Sequence, residues 1–141
     1  MTDLDINVLF ADDHSLFRKT VRGILESAPD IHIVGEAEDG TRALADLQAG
    51  HADVAILDLD MPGKDGLEVA RSVRDQHLPV KTVLLTAHKS AALVARALEC
   101  GVSGYVLKDD LAEIIDCVRA VYAGKRYLSP QLAAFNPNRR K

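Results

Sequence analysis

Residues 53–60, DVAILDLD, decide the fold class. They begin as a short run of alanine and branched apolar side chains without polar alternation, which is the pattern of a strand buried on both faces. The run ends in the acidic residues Asp58 and Asp60. Because strands of this kind occur in parallel sheets covered by helices, the stretch predicts an α/β fold with carboxylates at the carboxyl end of one strand.

Four other stretches have strand character. Three of them are short buried runs like the first: NVLFA (7–11), KTVLLT (81–86) and GYVLK (104–108). The fourth, IHIVGEAE (31–38), is apolar at Ile31 and Ile33 and then becomes acidic. That fading pattern predicts a strand at the edge of the sheet.

The segments between the strands have the spacing of one-sided helices. The two clearest apolar faces consist of Phe17, Val21, Ile24 and Leu25, and of Leu111, Ile114, Ile115, Val118 and Tyr122. Shorter periodic stretches lie at 43–47, 67–73 and 94–98, with helix ends expected near Pro29, Gly50, Pro79, Gly101 and Gly124. A strand followed by a helix five times predicts a doubly wound (βα)5 sandwich of three layers, in the flavodoxin-like parallel order 2-1-3-4-5.

Composition restricts the class of protein. The chain has 141 residues, 48% of them hydrophobic, which fits one domain with its own core. Its net charge of −4 is scattered, which disfavours a nucleic-acid-binding face despite the basic run Arg139–Lys141. The sequence shows neither an export signal nor an apolar run of ~18 residues, so we expect a cytoplasmic protein without membrane contact. Cys100 and Cys117 lack a CxxC partner and are expected to be buried packing residues.

Polar side chains follow four of the predicted strands at the point where each strand ends. They are Asp12 and Asp13 after the first, Asp58 at the third, Thr86 at the fourth and Lys108 at the fifth. The carboxyl ends of parallel strands lie at one edge of the sheet, where such folds bind ligands. We therefore expect these residues, far apart in sequence, to form one site.

These residue types suit phosphoryl transfer, in which a protein positions groups and neutralises charge on the transferred oxygens. Three neighbouring carboxylates repel one another and a phosphate, and a hard cation such as Mg²⁺ relieves both repulsions. Lys108 would place a positive charge on one phosphate oxygen, and the Thr86 hydroxyl would donate a hydrogen bond to another. Asp58 is then the expected nucleophile, which forms an acyl phosphate.

Four motifs together resemble the receiver domains of response regulators over residues 5–128. They are FADDHS, LDLDMPGKDG, LLTAH and GYVLKDD. The resemblance implies a CheY-like fold in which Asp13 and Asp58 are direct Mg²⁺ ligands, Asp12 acts through water and Asp60 contributes its backbone carbonyl. It also implies that Thr86 and Lys108 hold the phosphoryl group. Tyr105 matches the family's rotating aromatic residue, and Asp60 and His88 match positions that tune phosphoryl lifetime.

Two further stretches, GVSGYVLKDD and VRAVYAGKRYLSP, resemble the NarL/FixJ subgroup, whose output is a LuxR-type helix-turn-helix domain. That resemblance implies a sensor histidine kinase as partner, a homodimer after phosphorylation, and DNA contact only through an output domain that this sequence does not contain. Residues 1–128 would be the receiver and 129–141 a linker, with Ser129-Pro130 as a turn. We expect a piece of a longer regulator, and the alternative is a stand-alone receiver.

Three rival functions share features with this site. A haloacid-dehalogenase-type phosphatase also uses an Asp-x-Asp motif, but its nucleophile ends the first strand, whereas two predicted strands precede Asp58. A flavodoxin-like protein would bind flavin mononucleotide at the same edge, but the acidic loop after the first strand would repel the flavin phosphate. A pseudo-receiver would bind partners without phosphorylation. We expect a signalling domain that catalyses only its own phosphorylation and dephosphorylation.

Overall fold

The computed structural model describes residues 5–135, and residues 136–141 with the predicted basic run lie outside the described part. The strands are β1 (Ile6–Ala11), β2 (Ile31–Ala37), β3 (Val54–Asp58), β4 (Lys81–Thr86), β5 (Gly104–Leu107) and β6 (Tyr127–Leu128). The helices are α1 (Ser15–Glu26), α2 (Gly40–Gln48), α3 (Gly66–Asp75), α4 (Ala91–Glu99) and α5 (Ile114–Tyr122). Two 3-10 segments follow β5 and β6, at Lys108–Glu113 and Pro130–Phe135. Among the described helices, none is both long and apolar enough to cross a bilayer.

The sheet is parallel throughout, in the order β2-β1-β3-β4-β5-β6. The predicted fold class and the order of the first five strands are confirmed, with β2 at one edge. The sixth strand was not predicted. It pairs Tyr127 with Gly104 and Leu128 with Tyr105, so it lengthens the sheet beyond β5.

Helices cover both faces of the sheet, as the apolar runs of the strands require. In β3, every residue is buried and successive side chains alternate between the two cores. Ala55 and Leu57 pack with α2, α3 and α4, while Val54 and Ile56 pack with α1 and α5. This three-layer packing fixes the carboxyl end of β3, where Asp58 lies.

The expected apolar face of α5 was partly wrong. The residues of α5 that face the core are Ile114, Cys117, Val118 and Val121, whereas Tyr122 is exposed. Leu111 belongs to the preceding 3-10 segment rather than to the helix. Cys117 is thus a core residue, and Cys100 at the end of α4 is also buried, which confirms the packing role expected of both cysteines.

The start of the predicted linker, residues 129–141, also differs from the expectation. Ser129 was expected in a linker turn, yet it is fully buried and lies between β6 and the second 3-10 segment. Leu132, three residues later, is buried against the core on the α4 side. The chain therefore remains packed on the domain past the predicted boundary at residue 128.

A close backbone approach at Gly40 gives a first testable prediction. A Cβ atom there would lie 1.8 Å from the carbonyl oxygen of Lys64, whereas a Cβ at Gly23 on α1 would meet nothing within 4 Å. We expect Gly40→Ala to lower the free energy of unfolding by about 2 kcal/mol or more, because backbone must move. Gly23→Ala should raise it by about 0.5–1 kcal/mol, since alanine favours the helix. Urea denaturation of both variants measures the difference, and equal midpoints would contradict it.

Candidate functional site

The structure brings the predicted site residues to one edge of the sheet. Asp12 and Asp13 directly follow β1, Asp58 and Thr86 are the last residues of β3 and β4, and Lys108 follows β5. The strands are parallel and in register, so their carboxyl ends lie side by side. Strand ends provide this placement because the adjoining loops leave the sheet in the same direction.

Asp12, Asp58 and Lys108 form the centre of the site. Both carboxylates are buried, with exposed fractions of 0% and 1%. The Lys108 ammonium lies 3.3 Å from Asp58 Oδ1 and 3.6 Å from Asp12 Oδ2, so one cation contacts two acids. The ring of Phe17 lies 4.6 Å from the same nitrogen, measured to its centroid, and contributes a cation–π contact.

Asp58 titrates unlike an ordinary aspartate. Burial raises the pKa of its carboxyl to about 6, and the neighbouring Asp12 acts in the same direction. Lys108 and the backbone N–H of Asp60, 3.4 Å from Asp58 Oδ1, oppose the rise in this pKa. The carboxyl is therefore ionised at neutral pH and can act as a nucleophile.

The donor atoms of the site fit a hard cation. Asp12 Oδ2 and Asp58 Oδ2 are buried and accept no hydrogen bond from the described part of the chain. Asp12, Asp13, His14 and Asp58 each offer a ligand atom, and these atoms lie within 4.8 Å of one another. Unpartnered buried carboxylate oxygens are costly, and carboxylates are the ligands that Mg²⁺ and Ca²⁺ prefer. The arrangement could therefore hold a divalent metal ion.

Two polar residues at the acidic loop were not assigned to the site from the sequence. His14 donates its backbone N–H to Asp12 Oδ1 at 2.8 Å, and its Nδ1 lies 3.0 Å from Asp13 Oδ1. Arg18 donates from Nη1 to the Asp12 carbonyl at 2.6 Å. The position of His14 directly after the acidic pair was a usable signal. The contact of Arg18 depends on how α1 packs, which the sequence did not show.

Thr86 and Tyr105 are joined through the loop that follows β4. Thr86 Oγ1 accepts the backbone N–H of His88 at 3.1 Å, and the Tyr105 hydroxyl donates to the His88 carbonyl at 2.9 Å. Tyr105 is buried, and this burial raises the pKa of its hydroxyl to about 12. Within the described residues, no hydrogen bond joins Thr86 to Asp58, and the threonine hydroxyl is bound to its own loop.

Asp60 and His88 bridge the loops that follow β3 and β4. His88 Nε2 lies 3.3 Å from Asp60 Oδ2, and both side chains are more than half exposed. The pair is accessible to water and adjoins Asp58 through the Asp60 backbone. The structure thus brings together the two residues predicted to tune phosphoryl lifetime. The metal contact predicted for the Asp60 carbonyl stays a prediction.

Comparison with known proteins agrees with this geometry. The sequence profile of the response regulator receiver domain matches residues 8–119. The transcriptional regulatory protein NarL of Mycobacterium tuberculosis is 41% identical over 128 residues, which are 90% of this chain and 59% of that protein. The response regulator UvrY of Escherichia coli is 39% identical over 129 residues, which are 91% of this chain and 59% of that protein.

Solved structures give the same result. The receiver domain of NarL from Mycobacterium tuberculosis superimposes with a TM-score of 0.83 at 41% identity, over 86% of this chain and 98% of that one. A LuxR-family response regulator from Aurantimonas has a TM-score of 0.88 at 32% identity, over 92% and 94% of the two chains. The chain spans about three-fifths of the curated relatives, 59% in each case above. From its fold, its site and these matches, the chain belongs to the receiver domains of response regulators.

Proposed function

We propose that this domain accepts a phosphoryl group on Asp58 from a sensor histidine kinase, with Mg²⁺ bound beside it, and that the acyl phosphate switches its conformation. The observation that carries the proposal is the pair of buried carboxylates, Asp12 and Asp58, that share one lysine and each have an oxygen that accepts no hydrogen bond from the described residues. Such a pair of buried charges is costly unless a cation offsets it.

The proposed direct metal ligands are the carboxylates of Asp13 and Asp58 and the backbone carbonyl of Asp60. Asp12 would act through a water molecule. Bound there, Mg²⁺ would neutralise negative charge on the phosphoryl oxygens and on the acids. The clustering of donor atoms within 4.8 Å supports this assignment. Because the cation offsets the repulsion between the carboxylates and the phosphate, both can occupy this acidic site together.

In the transfer step, an Asp58 carboxylate oxygen attacks phosphorus. A new O–P bond forms as the bond from phosphorus to the donor's imidazole nitrogen breaks, and that nitrogen keeps the electron pair. Lys108, already 3.3 Å from Asp58 Oδ1, would pair with a phosphoryl oxygen.

The donor can also be a small acyl phosphate, which tests the proposal directly. The intact mass of the chain after incubation with acetyl phosphate and Mg²⁺ should increase by one phosphoryl group.

The proposed switch uses the contacts of the loop after β4. A phosphoryl group on Asp58 would attract the Thr86 hydroxyl, which would donate a hydrogen bond to it. The movement of this side chain would break the hydrogen bond that Thr86 Oγ1 now accepts from the N–H of His88. Tyr105 is bound to the carbonyl of the same residue, so the loop and the ring would move together. The two conformations need differ by only a few kcal/mol for a local charge to shift their populations.

We expect Asp60 and His88 to set the rate of dephosphorylation. Their exposed pair can contact the water that attacks the acyl phosphate. The double variant Asp60→Ala, His88→Ala should change the lifetime of the phosphorylated form severalfold, while its yield of phosphorylation remains. The decay of the phosphorylated mass after removal of acetyl phosphate measures the effect, with Asp75→Ala as an exposed control. An unchanged lifetime would refute the role.

The output of the whole protein is also a proposal, because the chain spans 59% of its curated relatives. We propose that residues 129–141 lead to a LuxR-type helix-turn-helix domain, that phosphorylation promotes a homodimer, and that DNA is bound only by the output domain. A solved RcsB structure, 26% identical, describes two dimers bound to DNA. Equal dimer populations with and without beryllofluoride, over a concentration series, would contradict the proposed dimerisation.

A further inference from the structure

Ser129 is buried at the point where the sheet's last strand ends. Its Oγ accepts the backbone N–H of Leu107 at 2.9 Å, and its own N–H donates to the carbonyl of Tyr105 at 2.9 Å. One residue thus binds the strand backbone at Tyr105 and at Leu107, the residue that precedes Lys108.

The Ser129 side chain extends the hydrogen bonding between β5 and β6 past the residues that pair through their backbones. β6 pairs with β5 only through Tyr127 and Leu128, so Leu107 lies beyond the paired residues. Its N–H is buried and would have no strand partner at this edge, and the Ser129 hydroxyl supplies the missing acceptor. A buried polar group of this kind is costly to leave unpaired.

Two more contacts hold the 3-10 segment that begins at Lys108. The Tyr127 hydroxyl donates to the Glu113 carboxylate at the end of the segment, and Gln131 Nε2 donates to Asp110 Oδ1 at 2.9 Å in its middle. Asp110 interrupts the helical backbone with φ −106° and ψ 37°, so regular helical hydrogen bonding does not hold the whole segment. Residues 127–132, which we name the C-terminal clasp, therefore support the backbone on both sides of Lys108.

We propose that Ser129 is a positioning residue for Lys108, and that the C-terminal clasp holds the backbone that carries this lysine. The inference rests on the proposed phosphorylation of Asp58. Lys108 is 24% exposed and has a long flexible side chain, so its placement depends on the backbone that carries it.

The test compares Ser129→Ala with Ser27→Ala, which removes an exposed hydroxyl bond at the end of α1. At saturating acetyl phosphate and Mg²⁺, we expect phosphoryl gain about tenfold slower in Ser129→Ala and unchanged in Ser27→Ala. The Mg²⁺ dissociation constant should stay within about twofold of wild type, because the proposed ligands are not held by Ser129. Ser129→Thr, which keeps the hydroxyl, should restore part of the rate.

Other outcomes separate this inference from the proposed function. If wild type gains no phosphoryl group, the proposed function fails. If wild type is phosphorylated and Ser129→Ala reacts at the same rate, or if Mg²⁺ affinity falls as much as the rate, the positioning role is overturned. Should Ser129→Ala not fold, Tyr127→Phe decides, since it removes only the hydroxyl that binds Glu113. A slower rate supports the clasp, and a wild-type rate overturns it.

Discussion

Asp58→Ala is expected to abolish phosphorylation of this domain by acetyl phosphate. In wild type, Asp58 offers a buried, ionised carboxylate beside Lys108 and the acidic pair, and this carboxylate is the proposed nucleophile. Alanine removes the proposed attacking oxygen, so the transfer step has no nucleophile at this position. Intact-protein mass should show one phosphoryl group on wild type in Mg²⁺, none in EDTA, and none on the variant in either condition.

The matched control is Asp75→Ala. Asp75 ends α3 and is 60% exposed, and among the described residues it pairs with its neighbour Arg74. This variant should be phosphorylated like wild type, which shows that the loss in Asp58→Ala is not a general effect of removing a carboxylate. A phosphoryl group that persists on Asp58→Ala would place the acceptor elsewhere. Absence of a gain on wild type with every phosphodonor would favour the pseudo-receiver.

The site could be predicted from the sequence because it depends on a regular feature of parallel sheets. The first five strands were recognisable by their apolar runs, and Asp58, Thr86 and Lys108 were placed by counting to the strand ends. The structure adds that Asp12 and Asp58 are buried and that the Lys108 ammonium contacts both, which the sequence did not predict. Side-chain contacts from α1, such as the one from Arg18 to Asp12, depend on helix packing and were not predicted.

The end of the domain could not be predicted for a different reason. Leu111 lies in a 3-10 segment with three residues per turn, so extending an α-helical period from it shifted the expected face of α5 toward Tyr122. β6 has only two residues, too few for a periodic pattern. Ser129 reads as a turn former by type, and its burial arises only from tertiary contacts with β5.

The raised pKa of Asp58 predicts how stability depends on pH without metal. The carboxyl has a pKa near 3.8 when unfolded and about 6 when folded, so between these values the folded state holds a proton that the unfolded state has released. Protonation of Asp58 therefore contributes fully to the free energy of unfolding below pH ~4. This contribution is lost as the pH rises through about 6, and it is absent at higher pH. Each unit of pKa corresponds to ~1.4 kcal/mol, so the loss is about 2–3 kcal/mol.

Asp58→Asn should therefore stabilise the metal-free domain by about 2–3 kcal/mol at pH 8 relative to its effect at pH 4, because the amide buries no charge and places none beside Asp12. Urea denaturation in EDTA across this range measures the difference, and Asp75→Asn is the exposed control. Saturating Mg²⁺ should reduce the advantage of the variant at pH 8, since the cation stabilises the ionised wild-type site. Parallel curves for wild type and Asp58→Asn would show that the buried carboxylate carries no such cost, and would remove the electrostatic reason for a cation at this edge of the sheet.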